Sequence, residues 1–248
     1  MCSISWVFRE SGYELVFNRD EKWARAPSLD YTFERHHRVP GFCARDSQAN
    51  GTWLFTNETG LTLALFNAYP GGVATRPGRQ SRGQIPLLAA EAESSDGLVK
   101  HLQSKRYDEF SPFDLLLIDD SGVRTFGWDG IVFGEKVLGS TPFLTSSSVG
   151  STRVIAARKK RFEQIRHLPL MEILSDTEAE TPEEAIYVTR EDGGTVSQTM
   201  VHVSQDEIRF SVIRRGEKQS TQVVSRKLRF FPDFGFHSSF LVDRFGRS

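Results

Sequence analysis

The chain has 248 residues, 38% of them hydrophobic, and its 31 Lys and Arg nearly balance 32 Asp and Glu, for a formal net charge of −1. This length and apolar content can bury a sizeable core, and the 19 Phe and 4 Trp argue against a disordered chain. The charge balance leaves no basic excess for nucleic acid, and no apolar run reaches the roughly 20 residues of a membrane-spanning helix. We expect one folded domain over residues 1–248.

The chain is predicted to open with a β-hairpin. Residues 4–8 and 13–17 have strand character, and residues 9–12 between them have turn chemistry. Because antiparallel strands run back alongside each other, the hairpin brings Cys2 next to the charged stretch Asn18-Arg19-Asp20-Glu21. The sequence therefore predicts a charged cluster beside an N-terminal thiol.

Most later segments also read as strands. Residues 22–40 are predicted to be a loop, and so are residues 70–84, which contain three arginines and no acid. Helices are expected at residues 85–103, broken near 94–97, and at 152–165. Further strands are predicted at residues 52–56, 61–67, 113–119, 123–128, 185–189, 195–203 and 207–214. Hairpins with few intervening helices favour an α+β fold with antiparallel sheets.

Cys2 has the chemistry of a self-contained nucleophile once Met1 is removed. Its thiol can attack a carbonyl, and the α-amine of the same residue, with an ordinary pKa of about 7.7–8.0, can take the thiol's proton. Arg19 would favour the thiolate, and Asp20 or Glu21 would accept a hydrogen bond from the amine. The alternative is that Cys2 has no role and that residues 18–21 form a solvated turn.

Other polar residues allow both a functional and a purely structural interpretation. Asn67, at the end of a strand, would donate its amide to an oxyanion or simply cap a turn. The pair His36-His37 lacks a third ligand at a metal-binding spacing, so we predict no metal and no cofactor. The loop arginines would grip a phosphate-bearing ligand or remain solvated; they are Arg76, Arg79 and Arg82.

The cysteine count bears on the compartment. Cys2 and Cys43 are the two cysteines of the chain, which is too few for a disulfide framework, and Cys43 reads as a small buried hydrophobe. The start of the chain has no charged segment followed by an apolar run, as a secretory signal would have. We therefore expect a cytoplasmic protein.

Several motifs occur in a fixed order along the chain. The early motifs are Met1-Cys2, Asn18-Arg19-Asp20-Glu21, Arg25, Gly51-Thr52-Trp53 and the spaced residues Asn57, Gly60, Leu61, Leu65 and Asn67. Residues 145–149, a helix containing Arg158 and Phe162, and residues 189–215 follow. Together they resemble the NRDE family, which includes the transport and Golgi organisation protein 2 group, and the resemblance is densest over residues 1–72.

That family resembles the N-terminal-nucleophile hydrolases with a leading cysteine, such as penicillin V acylases and bile salt hydrolases. The resemblance implies a four-layer αββα sandwich, with Cys2 as nucleophile, Arg19 close to the thiol and Asn67 in the oxyanion hole. The acylases carry an Asp where this chain has Lys22, and an Asn near the position of the run Ser146-Ser147-Ser148.

Two functions follow from this resemblance. The first is a cysteine hydrolase acting on a non-peptide amide or a thioester; the second is a non-catalytic protein that handles haem or acyl-coenzyme A on the same scaffold. The ligand would be a small acyl or haem-like molecule, and the oligomeric state stays open. The candidate catalytic residues are Cys2, Arg19, Asp20 and Asn67, and the candidate substrate-binding residues are Asn18, Glu21, Arg25 and Trp53.

Overall fold

Two antiparallel β-sheets lie face to face at the centre of the fold. The computed structural model describes residues 2–72 and 78–226. Predictions made for Met1 and for Arg76 lie outside the described residues. None of the helices in the two described ranges is both long and apolar enough to cross a bilayer.

The strands and helices follow each other in an order dominated by hairpins. Short 3₁₀ helices also occur, at Pro70–Gly72, Arg82–Gln84, Pro86–Glu91 and Pro182–Glu184. The strands and helices are β1 (Cys2–Arg9), β2 (Gly12–Lys22), β3 (Tyr31–Glu34), β4 (Gly41–Ala44), β5 (Leu54–Asn57), β6 (Thr62–Asn67), α1 (Ser95–Ser104), β7 (Phe113–Asp119), β8 (Gly122–Trp128), β9 (Phe133–Lys136), β10 (Phe143–Ser146), α2 (Ser151–Ile165), α3 (Leu170–Leu174), β11 (Gly193–Val203), β12 (Glu207–Arg214) and β13 (Ser220–Ser225).

In the described part of the chain, the strands divide into a first sheet of six and a second sheet of seven. The first sheet has the order β10-β1-β2-β11-β12-β13, and the second has β3-β4-β5-β6-β7-β8-β9. All pairings in both sheets are antiparallel. The second sheet therefore follows chain order, whereas the first joins the N-terminal hairpin to strands far away in the sequence.

Alternation along β2 explains how the first sheet is covered on both faces. Tyr13, Leu15 and Phe17 belong to the apolar cluster between the two sheets, where Phe17 packs against Phe66 of the second sheet. Val16, one residue out of phase, belongs to a separate cluster with α2 and α3. Successive residues of a strand face opposite sides, so one strand supplies both interfaces.

The outer helices complete four layers. On α2, Val154, Phe162 and Ile165 are buried at helical spacing, and Phe162 and Ile165 pack against the first sheet. On the other side, Leu98 of α1 belongs to a third apolar cluster with Phe113 of the second sheet. Three apolar interfaces between four layers confirm the predicted α+β fold, an αββα sandwich.

Several local predictions were wrong. The segment 22–40 is not wholly a loop, since it contains β3. Residues 185–189 do not form a strand, because among them Thr189 makes only an isolated bridge to Gly194. The helix expected at 85–103 is broken where the sequence predicts, because Ser94 accepts a hydrogen bond from the Gly97 backbone and starts a new helix there; only its first part differs, since it is a 3₁₀ helix.

Candidate active site

Strand register places Cys2 between β2 and β10 of the first sheet. Cys2 lies opposite Arg19 on β2, as the hairpin predicts, and opposite Ser146 on β10. Cys2 is half-buried and packs against the cluster between the sheets. Its backbone nitrogen donates a hydrogen bond to Ser146 Oγ at 3.2 Å. Both neighbouring strands thus hold the cysteine at the end of β1.

A cavity of about 180 Å³ opens beside this thiol. Seven of the eight residues predicted from the sequence as catalytic or substrate-binding line this cavity. They come from β1, β2, β6 and the loops that follow β2 and β4. The cavity is lined by Cys2, Arg19, Asp20, Glu21, Arg25, Asp46, Ala49, Gly51, Thr52, Trp53, Leu65, Asn67, Ser81, Arg82 and Gly83.

Asn18 does not belong to this cavity, so the prediction that it binds substrate needs correction. Its side chain is fully buried and donates to the carbonyl oxygens of Leu174 and Ile186, at 2.7 and 3.1 Å, while Gln198 donates to it. Adjacent strand residues face opposite sides, so Asn18 faces the helices when Arg19 faces the cavity. Asn18 instead ties α3 to the first sheet.

The Arg19 guanidinium is fixed by an aromatic ring and two acids. It lies 4.4 Å from the centroid of the Trp53 ring, 3.2 Å from Asp46 Oδ2 and 3.6 Å from Glu21 Oε2. Arg25 contacts both oxygens of Asp46 at 2.9 Å. Although burial opposes it, the hydrogen bond from Arg25 lowers the pKa of Asp46. Asp46 therefore carries the negative charge that holds two arginines in the cavity wall.

The electrostatics around Cys2 favour the neutral thiol. Burial raises the pKa of the Cys2 thiol, and the negative charge of Asp20 adds to the rise. A hydrogen bond from the Asp20 backbone and the charge of Arg19 act in the opposite direction without reversing it. A reaction at Cys2 therefore requires a base that removes the thiol proton.

Asp20 lies in a buried network with Arg158 of α2. Thr195 Oγ1 donates to Asp20 Oδ1 at 2.7 Å, and Arg158 Nη1 is 3.9 Å from Asp20 Oδ2. Burial raises the pKa of Asp20, and the charge of Arg158 opposes the rise. Arg158 is fully buried and also donates to Thr145 Oγ1 at 2.8 Å and to the Ser146 carbonyl oxygen at 3.4 Å. This arginine thus fastens β10, which carries Ser146, to the strands beside it.

The opposite wall of the cavity comes from the second sheet. Asn67 is the last residue of β6, is half-buried and pairs with Phe113. Arg82 stands at the start of a 3₁₀ helix, where its Nη1 atom donates to the carbonyl oxygen of Pro112 at 2.8 Å. The thiol and the Asn67 amide thus face one space from two different sheets.

Sequence reasoning missed two contributors to the site and did not place a third. Asp46 lies in a loop with no motif that marks it, and Ser146 stands out in the sequence only as a departure from the acylases. Arg82 is predicted to grip a phosphate-bearing ligand or to remain solvated, but not to lie beside Cys2. Each reaches the site through contacts distant in sequence, such as the bond from Cys2 to Ser146, which spans 144 residues.

The adjacent histidines depart from the expected picture. His36 and His37 lie in a turn after β3, and their ring centroids are 4.2 Å apart. With Glu34 they place three ligand atoms within 4.8 Å of one another. Arg45 already donates to both oxygens of that carboxylate, at 2.7 Å from Nε to Oε1 and more closely from Nη2 to Oε2. The Glu34 charge is thus neutralised by an arginine, and these residues are not part of the cavity wall.

Solved structures share this architecture. The C2A mutant of conjugated bile acid hydrolase from Clostridium perfringens aligns over 92% of this chain and 97% of its own, with a TM-score of 0.55 and 10% identity. The Caenorhabditis elegans orthologue of N-acylethanolamine-hydrolyzing acid amidase aligns over 81% and 92%, with a TM-score of 0.53 and 11% identity. At these identities the likeness establishes the fold.

Sequence comparison gives the family. No curated protein matches the chain significantly. The profile of the family described as Transport and Golgi organisation 2 matches residues 1–138, which is more than half of the chain and includes Cys2, the Asn18-Arg19-Asp20-Glu21 motif and Asn67. The chain therefore belongs to the Transport and Golgi organisation 2 family, on the sandwich that it shares with N-terminal-nucleophile hydrolases.

Proposed function

We propose that this protein is a cysteine hydrolase that cleaves a non-peptide amide or a thioester, with Cys2 as its nucleophile. One observation carries the proposal: the Cys2 thiol, the Arg19 guanidinium and the Asn67 side chain line the same cavity. A nucleophile, a fixed cation and an amide donor are the groups that acyl transfer requires. The two fold relatives are both hydrolases by name, which agrees with this proposal.

The first step is attack of the Cys2 sulfur on the substrate carbonyl carbon. The raised pKa of the thiol means that a base must take its proton. Removal of Met1 would turn the Cys2 nitrogen into an α-amine with an ordinary pKa of about 7.7–8.0, which suits this task at neutral pH. Ser146, whose hydroxyl already accepts from this nitrogen, would orient it.

The tetrahedral intermediate then needs a donor for its oxyanion. Asn67 would donate its Nδ2 group, a contribution worth roughly 10²–10³ in rate where such donors have been removed. As the carbon–nitrogen or carbon–sulfur bond breaks, the α-ammonium returns the proton to the leaving group. Water, deprotonated by the same amine, then attacks the thioester at Cys2 and releases the acid.

The remaining candidate residues would act as support. Glu21 and Arg25 hold the Asp46 and Arg19 charges in place, and Trp53 offers an apolar surface next to Arg19. Asp20 would act through its charge on Cys2 and through Arg158. We further propose that the protein works as one domain in the cytoplasm, since two cysteines suit a reducing compartment.

Intact-mass spectrometry tests the proposal. The purified chain is expected to lack Met1 and, after a short incubation with 4-nitrophenyl butyrate, to carry one butyryl group that peptide mapping places on Cys2. Cys2→Ala should remain unlabelled, and Cys43→Ala should label as the wild type does. Retention of Met1, or acylation elsewhere, would overturn the mechanism. Haemin or acyl-coenzyme A binding that Cys2→Ala leaves intact would then favour ligand handling.

A further inference from the structure

One arginine in the cavity wall has no acidic partner. Within the described part of the chain, Arg82 makes no ion pair with a carboxylate, and its Nη1 donates to the Pro112 carbonyl oxygen at 2.8 Å. The cavity's other two arginines are neutralised: Arg19 and Arg25 both contact Asp46 and Glu21. A guanidinium carries five N–H donors, so Arg82 keeps donors to offer to a ligand.

The Arg82 backbone is held in a fixed position. The Thr52 backbone nitrogen donates to the Gly83 carbonyl oxygen at 2.8 Å, which joins the Arg82 turn to the loop before Trp53. A side chain at Gly51 would meet the Gly83 backbone at 2.5 Å, so only glycine permits this close packing. Arg82 therefore projects from a clamped turn rather than from a solvated loop.

Arg82 is also within electrostatic reach of the nucleophile. The side chain is half-buried and lines the cavity together with Cys2. Burial lowers the pKa of Arg82, and the charges of Tyr69 and Cys2 oppose that change. An arginine remains protonated under such conditions, and a partly desolvated guanidinium is a strong partner for a carboxylate or a phosphate.

We propose that Arg82 binds an anionic group of the substrate, a carboxylate or a phosphate, close to the carbonyl that Cys2 attacks. This assignment of a substrate class rests on the proposed hydrolase function for the identity of that carbonyl. The cavity of about 180 Å³ is smaller than the roughly 300–1,000 Å³ of typical ligand pockets, so the anion lies only a few bonds from the reacting carbon.

Two alkylating reagents test the inference without any turnover. Iodoacetamide carries a neutral amide where iodoacetate carries a carboxylate. Each reagent forms a carbon–sulfur bond to the cysteine as iodide leaves. Peptide mapping measures the alkylation rate of Cys2 with each reagent. The ratio of the iodoacetate rate to the iodoacetamide rate is then divided by the same ratio of rates measured for glutathione. A change in thiol pKa slows both reagents alike and cancels in this ratio.

For the wild type, this normalised ratio is expected to lie well above 1, which is its value for glutathione. Arg82→Gln should lower the ratio about fivefold, in keeping with the loss of one partly screened charge contact. Arg82→Lys should keep most of it, because the charge remains. Arg79→Gln is the matched control, since Arg79 is exposed and outside the cavity wall, and it should leave the ratio unchanged.

The outcomes separate this inference from the proposed function. A ratio that is the same in the wild type and in Arg82→Gln, or one that falls equally in Arg79→Gln, overturns the role of Arg82. Failure of 4-nitrophenyl butyrate to acylate Cys2 overturns the hydrolase while the alkylation ratio still reports on anion binding. Misfolding of Arg82→Gln is excluded by a thermal midpoint close to that of the wild type.

Discussion

Two regions of the molecule combine the same three chemical groups and differ in what surrounds them. Each has a cysteine, an arginine and a carboxylate held together by hydrogen bonds or charge. At the cavity these are Cys2, Arg19 and Asp46, and on the second sheet they are Cys43, Arg45 and Glu34.

Access distinguishes the two cysteines. Burial raises the pKa of both thiols, so the direction of the shift does not single out a nucleophile. Cys43 has no exposed surface and lies in the apolar cluster between the second sheet and α1. Cys2 is half-buried and lines open space that also contains Asn67. A thiol with a shifted pKa is therefore a candidate nucleophile only where a substrate carbonyl can reach it.

Replacing each cysteine with alanine in turn tests this contrast and should give the largest effect. Cys2→Ala should lower the rate of 4-nitrophenyl butyrate hydrolysis by at least about three orders of magnitude, since the nucleophile is gone. Cys43→Ala should keep the rate and instead lower the free energy of unfolding by about 1–2 kcal/mol through lost packing. Kinetic assays and urea unfolding measure both variants. Equal activity in the two variants would remove the distinction.

Sequence reasoning reaches the part of the site that local patterns control. Turn chemistry at residues 9–12 and two flanking strands suffice to place Cys2 opposite Arg19. The same alternation places Asn18 on the opposite face from Arg19, so the strand pattern argues against a substrate-binding role for Asn18.

The rest of the site depends on contacts that no local pattern encodes. Ser146 meets Cys2 through pairing of β1 with β10, and Thr195 meets Asp20 across 175 residues. Asp46 reaches Arg19 from an irregular loop. Such partners are set by the pairing of strands far apart in the sequence and by loop positions, whereas the overall αββα class follows from the many hairpins that the sequence does reveal.

Replacing Arg158 tests how strongly the buried network around Asp20 stabilises the fold. Arg158→Met should lower the free energy of unfolding by about 3–5 kcal/mol, because it leaves the buried Asp20 charge without its counter-charge. Arg166→Met, immediately after the same helix, is the control. Arg166 is exposed and pairs with the exposed Glu163 at 2.9 Å, so its loss should cost at most about 1 kcal/mol. Urea unfolding that gives the two variants equal stability would contradict this account of Arg158.

Asn67 tests whether the cavity acts on an oxyanion. Asn67→Ala should lower the acylation rate of Cys2 by roughly 10²–10³ without a matching change in iodoacetamide rate, since alkylation forms no oxyanion. Asn57→Ala is a useful contrast, because the Asn57 side chain donates to the carbonyl oxygens of Ala89 and Ala92. That variant should lose stability and keep the acylation rate of its folded fraction. Stopped-flow acylation measures both, and slowing of both reactions in Asn67→Ala would point to a structural role.

The smallest expected effect lies in the second region, where the charges serve stability. Although burial opposes it, hydrogen bonds from Arg45 and His37 lower the pKa of Glu34 from 4.5 to about 2. Because the folded pKa lies below the unfolded one, this carboxylate stabilises the fold above pH 4.5. The contribution is lost as pH falls towards 2. Glu34→Gln should therefore lower the free energy of unfolding at pH 7 by about 2 kcal/mol.

The pH dependence separates this charge effect from lost packing. Urea unfolding of the wild type and Glu34→Gln should differ fully at pH 7 and progressively less between pH 4.5 and about 2, because the carboxylate becomes neutral there and resembles the amide. A difference that stays constant over this range would assign the loss to shape rather than charge. Unchanged Cys2 acylation at pH 7 completes the test. Any loss of activity in the folded variant would mean that the two regions are coupled and that their separation by access alone is wrong.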